Sequence, residues 1–249
     1  MKSFMFVTDL DHTLVGDNEA LEKLKKELIN HREKYGTKIV YATGRSLTLY
    51  DELKQEQNLL DPDALITSVG TEIYFDSNYK TPDSEWSNKL SIGWNRDLVE
   101  EIAGKFEELV LQQPSEQRLF KVSYLVKEEA AKKVLPQLDK LLQKENIKFN
   151  LIYSGSKDLD ILPLHADKGL AVKYLQSKWQ YDAQKTVVCG DSGNDIALFS
   201  VEQARGIIVG NARSELRDWY EVNKTEYRYF AKLFYANGIL EGLHHFKFI

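Results

Sequence analysis

Short apolar runs alternate with helix-type patterns in the first part of the chain, and this alternation constrains the fold more than any other feature. Three runs have the length and composition of buried strands: residues 4–7, 39–42 and 64–67. Between the first two, residues 18–35 place leucines at helical spacing, and Ser46 is suited to cap a second helix. Strands that alternate with helices favour a parallel sheet. We therefore predict an α/β fold with a Rossmann-like parallel-sheet core.

The pattern changes in the middle of the chain. It predicts a helix, a strand, a helix and a strand in this order: residues 97–111, 120–126, 128–145 and 149–153. Pro136 lies inside the second of these helices and predicts a kink or a shorter helix there. Two helices and two strands in this order suit a small unit with an antiparallel sheet. We interpret this segment as an inserted α/β cap domain.

The first pattern returns in the last third of the chain. Two further helices and two further strands are predicted there: residues 168–179, 195–199, 186–189 and 207–209. We therefore predict a discontinuous catalytic core domain, residues 1–81 and 160–249, and a cap domain, residues 82–159. A Ser/Asn/Asp-rich run at residues 76–88 is expected to lead into the insertion, and residues 158–163 are expected to lead out of it.

The bulk composition narrows the classes of function and partner. The net charge of −5 gives no support to a nucleic-acid or anionic-membrane partner. Cys189 is the single cysteine, so no intrachain disulfide can form, which fits a reducing compartment. No apolar stretch approaches the ~20 residues that a membrane helix needs, and the N-terminus lacks the pattern of a signal peptide. We expect a cytoplasmic protein.

Polar clusters follow the predicted strands, at the edge where parallel sheets bind ligands. These clusters are residues 9–13, 43–45 and 190–195, and Lys168-Gly169 opens a helix beside them. Asp9 and Asp11 are two apart, which in an extended chain places their side chains on one side, roughly 7 Å apart. Their mutual repulsion would be relieved by a cation, and Asp191 and Asp195 add two more acids. Oxygen ligands of this kind suit Mg²⁺.

These side chains together predict phosphoryl transfer. Mg²⁺ and the Lys168 ammonium can neutralise a phosphate monoester and an attacking carboxylate. Asp9 then attacks phosphorus and forms an aspartyl-phosphate. Asp11 protonates the leaving alkoxide and later accepts a proton from the hydrolytic water. The predicted phosphate-binding groups are the Thr43 hydroxyl, the Lys168 ammonium and the backbone N–H groups of Leu10 and Gly44.

Each of these motifs taken alone also has a purely structural explanation. An isolated Asp-x-Asp is usually a turn, an isolated lysine is usually a solvated helix residue, and Gly190 to Asp195 is also typical of a tight strand-to-helix turn. The joint occurrence of all four clusters, in this order and at predicted strand ends, favours the functional interpretation.

The clusters resemble the motifs of the haloacid-dehalogenase superfamily of phosphohydrolases. That superfamily has Asp-x-Asp-x-Thr/Val, a Ser/Thr after a strand, a lysine, and Gly-Asp-x-x-x-Asp; the matching positions here are residues 9–13, Thr43, Lys168 and residues 190–195. The resemblance implies a metal bound by the side chains of Asp9 and Asp191 and by the backbone carbonyl of Asp11. Asp195 would support the metal indirectly. An aspartate at position 11 marks the phosphatases of the superfamily.

Within the superfamily the chain is most similar to the sucrose-phosphatase family, over nearly its whole length. The similarity includes residues 69–74, 121–124 and 238–242. It implies hydrolysis of sucrose 6-phosphate, the final step of sucrose synthesis, with a cap that sets sugar specificity. The implied sugar contacts are Gly70, Thr71, Glu72, Lys121 and Asn194. Candidates for ring stacking against the sugar are Tyr74, Trp86, Trp94 and Tyr124.

Several alternatives stay open at this point. The same mechanism could serve a mannosylglycerate, glucosylglycerol or trehalose phosphate, a phosphomutase, or a catalytically silent sugar-binding module. A glycosidase is a further alternative, but it would need no metal. We expect a monomer that acts on a small sugar phosphate, with no nucleic-acid or membrane partner. A transient contact with the synthase that makes the substrate is left open.

Overall fold

The predicted alternation of strands and helices is present in the computed structural model, which describes residues 2–75 and 78–249. Within these ranges, seven strands form the larger sheet: β1 (Met5–Thr8), β2 (Lys38–Ala42), β3 (Ala64–Thr67), β4 (Glu72–Tyr74), β9 (Thr186–Gly190), β10 (Arg205–Ile208) and β11 (Arg228–Phe230). Their spatial order is β11-β10-β9-β1-β2-β3-β4. All neighbours are parallel except β4, which is antiparallel to β3. The predicted Rossmann-like parallel core is thereby confirmed.

Helices cover both faces of this sheet. They are α1 (Asn18–Tyr35), α2 (Leu47–Gln57), α3 (Ser84–Leu90), α6 (Lys168–Trp179), α7 (Ile196–Phe199), α8 (Ser214–Val222) and α9 (Tyr235–His245). Separate apolar clusters fill the two sheet–helix layers. Side-chain caps begin several helices: Asp17 accepts from Ala20 N in α1, and Ser46 accepts from Leu49 N in α2, as predicted.

The insertion forms a smaller antiparallel sheet covered by helices. Among the described residues its strands are β5 (Val110–Leu111), β6 (Val122–Leu125), β7 (Phe149–Ser154) and β8 (Asp158–Pro163), in the order β5-β6-β8-β7. Its helices are α4 (Arg96–Ala103) and α5 (Glu128–Lys144). An apolar cluster of its own lies between these helices and the sheet. The predicted antiparallel sheet is present, with two strands more than expected.

Some predicted elements of the insertion are wrong. The helix predicted at residues 97–111 ends at Ala103, and Val110–Leu111 is a strand instead. Gly104 follows directly, and glycine weakens helix continuation by about 1 kcal/mol relative to alanine. The helix with Pro136 is not shortened, since α5 continues through the proline to Lys144.

The exit from the insertion lies later than expected. Residues 158–163 are the strand β8, which pairs with both β6 and β7, so the chain leaves the smaller sheet only after Pro163. The predicted boundary between residues 159 and 160 therefore falls inside a strand. The entry into the insertion was predicted at residues 76–88, of which residues 76–77 lie outside the described ranges. Residues 84–88 belong to α3, and Trp86 and Leu90 of this helix pack in the larger core. The division into core and cap is retained as a proposal.

In residues 2–75 and 78–249, every helix is too short or too polar to cross a bilayer.

Candidate active site

The four predicted motifs converge at the carboxyl edge of the larger sheet. Asp9 follows β1, Thr43 follows β2 and Asp191 follows β9, and these three strands are neighbours. Asp195 lies in the short 3₁₀ turn Gly193–Asp195 just after β9. Lys168 is the first residue of α6, whose start is capped by Asp167. The topology therefore brings together residues that are up to 186 positions apart in the sequence, as expected from the strand-end pattern.

Lys168 forms the buried centre of the cluster. Its Nζ lies 2.6 Å from Asp9 Oδ1 and 2.6 Å from Asp195 Oδ1, and all three side chains are buried. Burial alone favours the neutral amine, but the negative charges of Asp195 and Asp9 prevail and raise the pKa of Lys168. The lysine is thus held as an ammonium beside the predicted nucleophile.

The Gly-Asp-x-x-x-Asp spacing is explained by the geometry of the turn after β9. Asp195 Oδ2 accepts the backbone N–H groups of Asp191 at 3.0 Å and of Ser192 at 3.1 Å. A Cβ atom at Gly190 would lie 2.5 Å from the Cβ of Asp195, so no side chain fits at that position. The Asp195 carboxylate, the last group of the motif, therefore closes the turn by accepting hydrogen bonds from the backbone at its start. That carboxylate in turn holds Lys168.

Three carboxylates lie close enough to share a cation. Oxygen atoms of Asp9, Asp191 and Asp195 are all within 4.8 Å of one another. Lys168 pairs with Asp9 and Asp195, and Arg213 Nε lies 3.8 Å from Asp191 Oδ2, so two cations face the three acids. Burial, with the charge of Asp195 next, raises the pKa of Asp9 to about 7 and that of Asp191 to about 8. The excess negative charge and the oxygen donors fit a hard divalent cation. Thr13 ties the first motif to this cluster, because its hydroxyl donates to Asp191 Oδ1 at 3.3 Å.

The Asp11 side chain is separate from the three-acid cluster. Arg45 donates from Nε to Asp11 Oδ2 at 2.8 Å and from Nη2 to Asp11 Oδ1 at 2.7 Å, which is a bidentate pair. A third donation, from Arg45 Nη1 to the Leu49 carbonyl, fixes the guanidinium against α2. Sequence reasoning did not assign a role to Arg45. Its position two residues after Thr43, at a neighbouring strand end, was the available signal.

Thr43, Gly44 and Leu10 are placed around the predicted nucleophile by the loops after β1 and β2. Thr43 is buried, and its Oγ1 accepts the Arg45 N–H at 3.1 Å, which leaves the hydroxyl proton available for donation. The Gly44 backbone lines the cavity next to Asp9. The Leu10 carbonyl accepts the N–H groups of residues 13–15 and so fixes the loop that carries Asp11.

A cavity of about 420 Å³ lies above these residues, between the larger and the smaller sheet. The insertion lines it with polar side chains: Gln112, Gln113, Glu116, Lys121, Lys157, Asp158 and Asp160. Lys121 Nζ is buried 3.1 Å from Glu116 Oε2 and 3.5 Å from Asp160 Oδ1, and it also reaches the Gly44 carbonyl at 3.4 Å. Polar groups from the insertion therefore face the predicted nucleophile across the cavity.

The residues predicted to contact sugar divide into two groups. Lys121 and Asn194 line the cavity, whereas Gly70, Thr71 and Glu72 do not. A Cβ atom at Gly70, whose φ is +96°, would lie 2.3 Å from the Asp167 carbonyl, so this glycine permits close packing of its loop against the start of α6. The Thr71 hydroxyl donates to the Ser68 carbonyl, and Glu72 pairs with Arg118. This geometry gives sugar contact by these three residues no support.

The aromatic candidates lie in the surrounding framework and do not line the cavity. Trp86 donates its ring N–H to the Gly70 carbonyl, and Trp94 donates to the Leu119 carbonyl. Tyr74 donates to Glu72, and Tyr124 is buried in the core of the insertion. Sequence reasoning instead missed Asp158 and Asp160, although the alternation of acidic and apolar residues in β8 was the available signal. No comparable pattern marks Gln112, Gln113 or Glu116.

Comparisons with known proteins agree with this geometry. The chain is 41% identical to probable sucrose-phosphatase 2 of Arabidopsis thaliana over 251 residues, which cover 98% of this chain and 59% of that protein. It therefore spans about three fifths of the length of this plant relative. It is 30% identical to the mannosylfructose-phosphate phosphatase of Agrobacterium fabrum (strain C58 / ATCC 33970), covering 96% of this chain and 94% of that one.

Solved structures show the same architecture. The sucrose-phosphatase of Synechocystis sp. PCC6803, solved in complex with sucrose and phosphate, has a TM-score of 0.92 and 40% identity, and 99% of each chain is covered. A haloacid-dehalogenase subclass IIB sugar phosphatase shares the fold at 17% identity, with a TM-score of 0.68 and 99% and 100% coverage. A family model described as sucrose-6F-phosphate phosphohydrolase matches residues 2–247. With nearly the whole sequence matched and the four motifs assembled at one sheet edge, the chain belongs to the sucrose-6F-phosphate phosphohydrolase family.

Proposed function

We propose that this protein hydrolyses sucrose 6-phosphate to sucrose and inorganic phosphate through an aspartyl-phosphate on Asp9. One observation carries the proposal: a carboxylate held by a buried ammonium faces a cavity whose opposite wall is rich in hydrogen-bonding groups. A carboxylate at a charge-compensated site can act as a nucleophile toward phosphorus. Polar groups on the opposite wall are what a sugar with many hydroxyls requires.

In the first step, an Asp9 carboxylate oxygen bonds to phosphorus as the bond from phosphorus to the sugar oxygen breaks. Lys168, held 2.6 Å from Asp9, offsets the negative charge that is brought together when phosphate approaches the carboxylate. We propose that the Thr43 hydroxyl and the Gly44 N–H donate to phosphoryl oxygens in this step. A proton from Asp11 neutralises the departing alkoxide and yields sucrose.

In the second step, water attacks phosphorus and the bond from Asp9 to phosphorus breaks, which releases inorganic phosphate. Asp11 accepts the proton of that water, so the enzyme returns to its starting state. Arg45 donates to both oxygens of Asp11 and so holds this side chain in a fixed orientation. Release of Asp11 from this pair would accompany the first step, in which it must carry a proton.

Phosphatases of this superfamily generally use a metal ion, and a buried acidic cluster is present here. We propose that Mg²⁺ is held by the carboxylates of Asp9 and Asp191 and by the Asp11 carbonyl, with Asp195 supporting the site through Lys168 and the turn after β9. When bound, the ion would compensate the negative charge of the acids and of the phosphate. Burial and, next, the charge of Asp195 raise the pKa values of Asp9 and Asp191, and a bound cation would offset the repulsion between these carboxylates.

The polar wall of the cavity supports a sugar as the leaving group. Lys121, Glu116 and Asp160 form a buried charged group, and one Glu116 oxygen, Oε1, is buried without a hydrogen-bond partner among the described residues. An unpartnered buried oxygen is costly, so a ligand hydroxyl that donates to it would be bound favourably. A site built on such groups discriminates strongly against leaving groups that lack the hydroxyls.

A second candidate substrate is the phosphate of a related disaccharide. The relative at 30% identity that matches this chain over 94% of its own length is a mannosylfructose-phosphate phosphatase. The same core chemistry and the same kind of polar wall would serve either substrate, so the two candidates differ only in the contacts made by the insertion.

Phosphate release measured across sugar phosphates with Mg²⁺ tests the proposal. We expect sucrose 6-phosphate to give the highest kcat/KM, well above mannosylfructose phosphate, trehalose phosphate and 4-nitrophenyl phosphate, and we expect a chelator to abolish turnover. A higher value for another sugar phosphate would reassign the substrate. Transfer of phosphate that requires a sugar bisphosphate would instead indicate a mutase, and chelator-resistant cleavage would refute the metal.

We propose a cytoplasmic monomer, which the lone, buried Cys189 fits because no disulfide is available to it. A transient contact with the synthase that produces the substrate is compatible with this proposal.

A further inference from the structure

Glu72 joins the larger sheet to the insertion. Arg118 of the insertion donates from Nε to Glu72 Oε1 at 2.8 Å. The other carboxylate oxygen, Oε2, accepts the hydroxyl groups of Thr67 and Tyr74, each at 3.0 Å. The Glu72 side chain is 8% exposed and that of Arg118 is 33% exposed. Glu72 is thus a buried carboxylate with three donors, one of which comes from the inserted segment.

Arg118 lies in the loop that presents two cavity residues. Glu116 precedes it and Lys121 follows it, and both line the cavity. Arg118 and Lys121 exchange backbone hydrogen bonds, N to O in both directions, at 2.9 and 3.2 Å. The backbone of Lys121 is therefore fixed relative to the backbone of Arg118, whose side chain is fixed to Glu72. We call residues 116–121 the anchor loop.

The anchor loop is also held from the side of the insertion. Arg96 donates to the Arg118 carbonyl at 3.0 Å, and Trp94 donates to the Leu119 carbonyl at 2.9 Å. Phe120 of the loop also packs in the apolar cluster of the larger core. Removing the Glu72 contact would therefore leave the loop attached to the insertion and, through Phe120, to the larger core, while releasing the Arg118 end of the loop from β4. Lys121 Nζ now lies 3.4 Å from the Gly44 carbonyl oxygen, beside the predicted nucleophile. This distance is the one that we expect to change.

We propose that Glu72 is a positioning residue that acts through Arg118. It fixes the distance at which the side chains of Glu116 and Lys121 lie from Asp9 across the cavity. The inference rests on the proposed function, because the two cavity residues are there taken to bind the sugar. It replaces direct sugar contact by Glu72, since neither Glu72 nor Arg118 lines the cavity. Loss of Arg118 removes the same ion pair from the side of the loop, so it should have the same effect on the loop as loss of Glu72.

A double-mutant cycle with two substrates tests the proposal. Glu72→Gln, Arg118→Gln and the double variant are assayed with sucrose 6-phosphate and with 4-nitrophenyl phosphate, which has no sugar. We expect each single variant to lose about tenfold in kcat/KM for sucrose 6-phosphate, mainly through KM, and the double variant to lose no more than the worse single variant. Turnover of 4-nitrophenyl phosphate should stay within about twofold of wild type.

Two controls separate positioning from general damage. Lys38→Gln breaks an ion pair with Asp63 at the amino end of β2, far from the catalytic edge, and should leave both substrates unaffected. Arg118→Lys retains the charge and should recover part of the KM loss of Arg118→Gln. Equal losses on both substrates would overturn the proposal, as would additive losses in the double variant, which would indicate that Glu72 acts independently of Arg118.

Hydrogen exchange of the anchor loop distinguishes failure of this inference from failure of the proposed function. A wild-type enzyme that does not prefer any sugar phosphate over 4-nitrophenyl phosphate would refute the proposed function. In that case, faster exchange in residues 116–121 of both single variants, and no further increase in the double variant, would still support the anchoring. Unchanged exchange in these variants would overturn it, whatever the substrate. The same readout serves if Glu72→Gln folds poorly, since Arg118→Gln and Arg118→Lys then carry the comparison.

Discussion

At the residue scale, Asp9 is buried, acidic and paired with a lysine that is itself fully buried, and it lines the cavity. The ammonium is shared with Asp195, which is fixed by the turn after β9. The position of Asp9 is therefore determined by groups on two other segments of the chain, α6 and the turn. Such fixation by surrounding groups is what an in-line attack on phosphorus needs.

Asp9→Asn should leave the fold intact and abolish turnover. The amide cannot form the acyl phosphate, and loss of one of three crowded negative charges should maintain or raise the melting temperature at pH 8. Steady-state phosphate release and thermal unfolding measure the two effects. Asp61→Asn, which breaks an ion pair between Lys54 of α2 and the loop before β3, should change neither. Appreciable turnover by the Asp9 variant would reject it as the nucleophile.

Asp11→Asn should slow both chemical steps by about 10²- to 10⁴-fold with sucrose 6-phosphate. With 4-nitrophenyl phosphate the first step should be slowed far less, because a good leaving group needs no proton. Single-turnover measurements separate formation of the phosphoenzyme from its hydrolysis. Normal rates with the sugar substrate would remove Asp11 from the mechanism.

At the element scale, the turn after β9 combines a steric requirement with a catalytic one. Gly190→Ala should destabilise the protein by about 1–3 kcal/mol, because its Cβ would lie 2.5 Å from the Cβ of Asp195. Activity should fall as well, since Asp195 holds Lys168. Denaturant unfolding and phosphate release measure the two losses.

Gly36→Ala is the matched control for that prediction. Gly36 ends α1 with φ +74°, but among residues 2–75 and 78–249, apart from its own chain neighbours, no atom lies within 4 Å of the position of its missing Cβ. Alanine there should cost about 1–2 kcal/mol of backbone strain and leave turnover unchanged. Equal loss of activity in both variants would mean that the Gly190 effect is merely one of stability.

Elements with strong local signals could be predicted, and those set by tertiary pairing could not. α1 and α6 have the predicted bounds because side-chain caps and helical spacing define them locally. β5 has only two residues, both exposed, so its strand conformation depends on pairing with β6. The convergence of the motifs followed from the parallel-sheet rule. The pairings of Arg45 with Asp11 and of Arg118 with Glu72 depend on loop geometry that the sequence does not encode in any short pattern.

At the scale of the whole molecule, the uncompensated acids couple stability to pH and to the cation. The pKa values of Asp9, about 7, and Asp191, about 8, lie above the ordinary value of 3.8, so the folded state binds more protons than the unfolded state between about pH 4 and pH 8. The contribution of these two groups to the free energy of unfolding should therefore decrease as pH rises through that window.

Mg²⁺ should raise the melting temperature more at pH 8 than at pH 5, because it replaces protons on the acid cluster. The groups that face the two acids are Asp11, Lys168, Asp195 and Arg213. Each kcal/mol gained should appear as about 2–4 °C in a chain of this length. Thermal unfolding with saturating Mg²⁺ and with chelator, at both pH values, gives the comparison. A rise of the same size at both pH values would contradict this coupling, and Asp9→Asn should reduce the difference.

The central strand β1 pairs on one side with β2 and on the other with β9, which lies about 180 residues later. During synthesis, one edge of β1 therefore stays unpaired until β9, at the start of the last quarter of the chain, has been made. The insertion has its own apolar interior and can form while that edge is still open. A ribosome-bound chain that stops before residue 186 would expose an unpaired edge of β1, which makes this nascent state a point of vulnerability to aggregation and a natural substrate for chaperones.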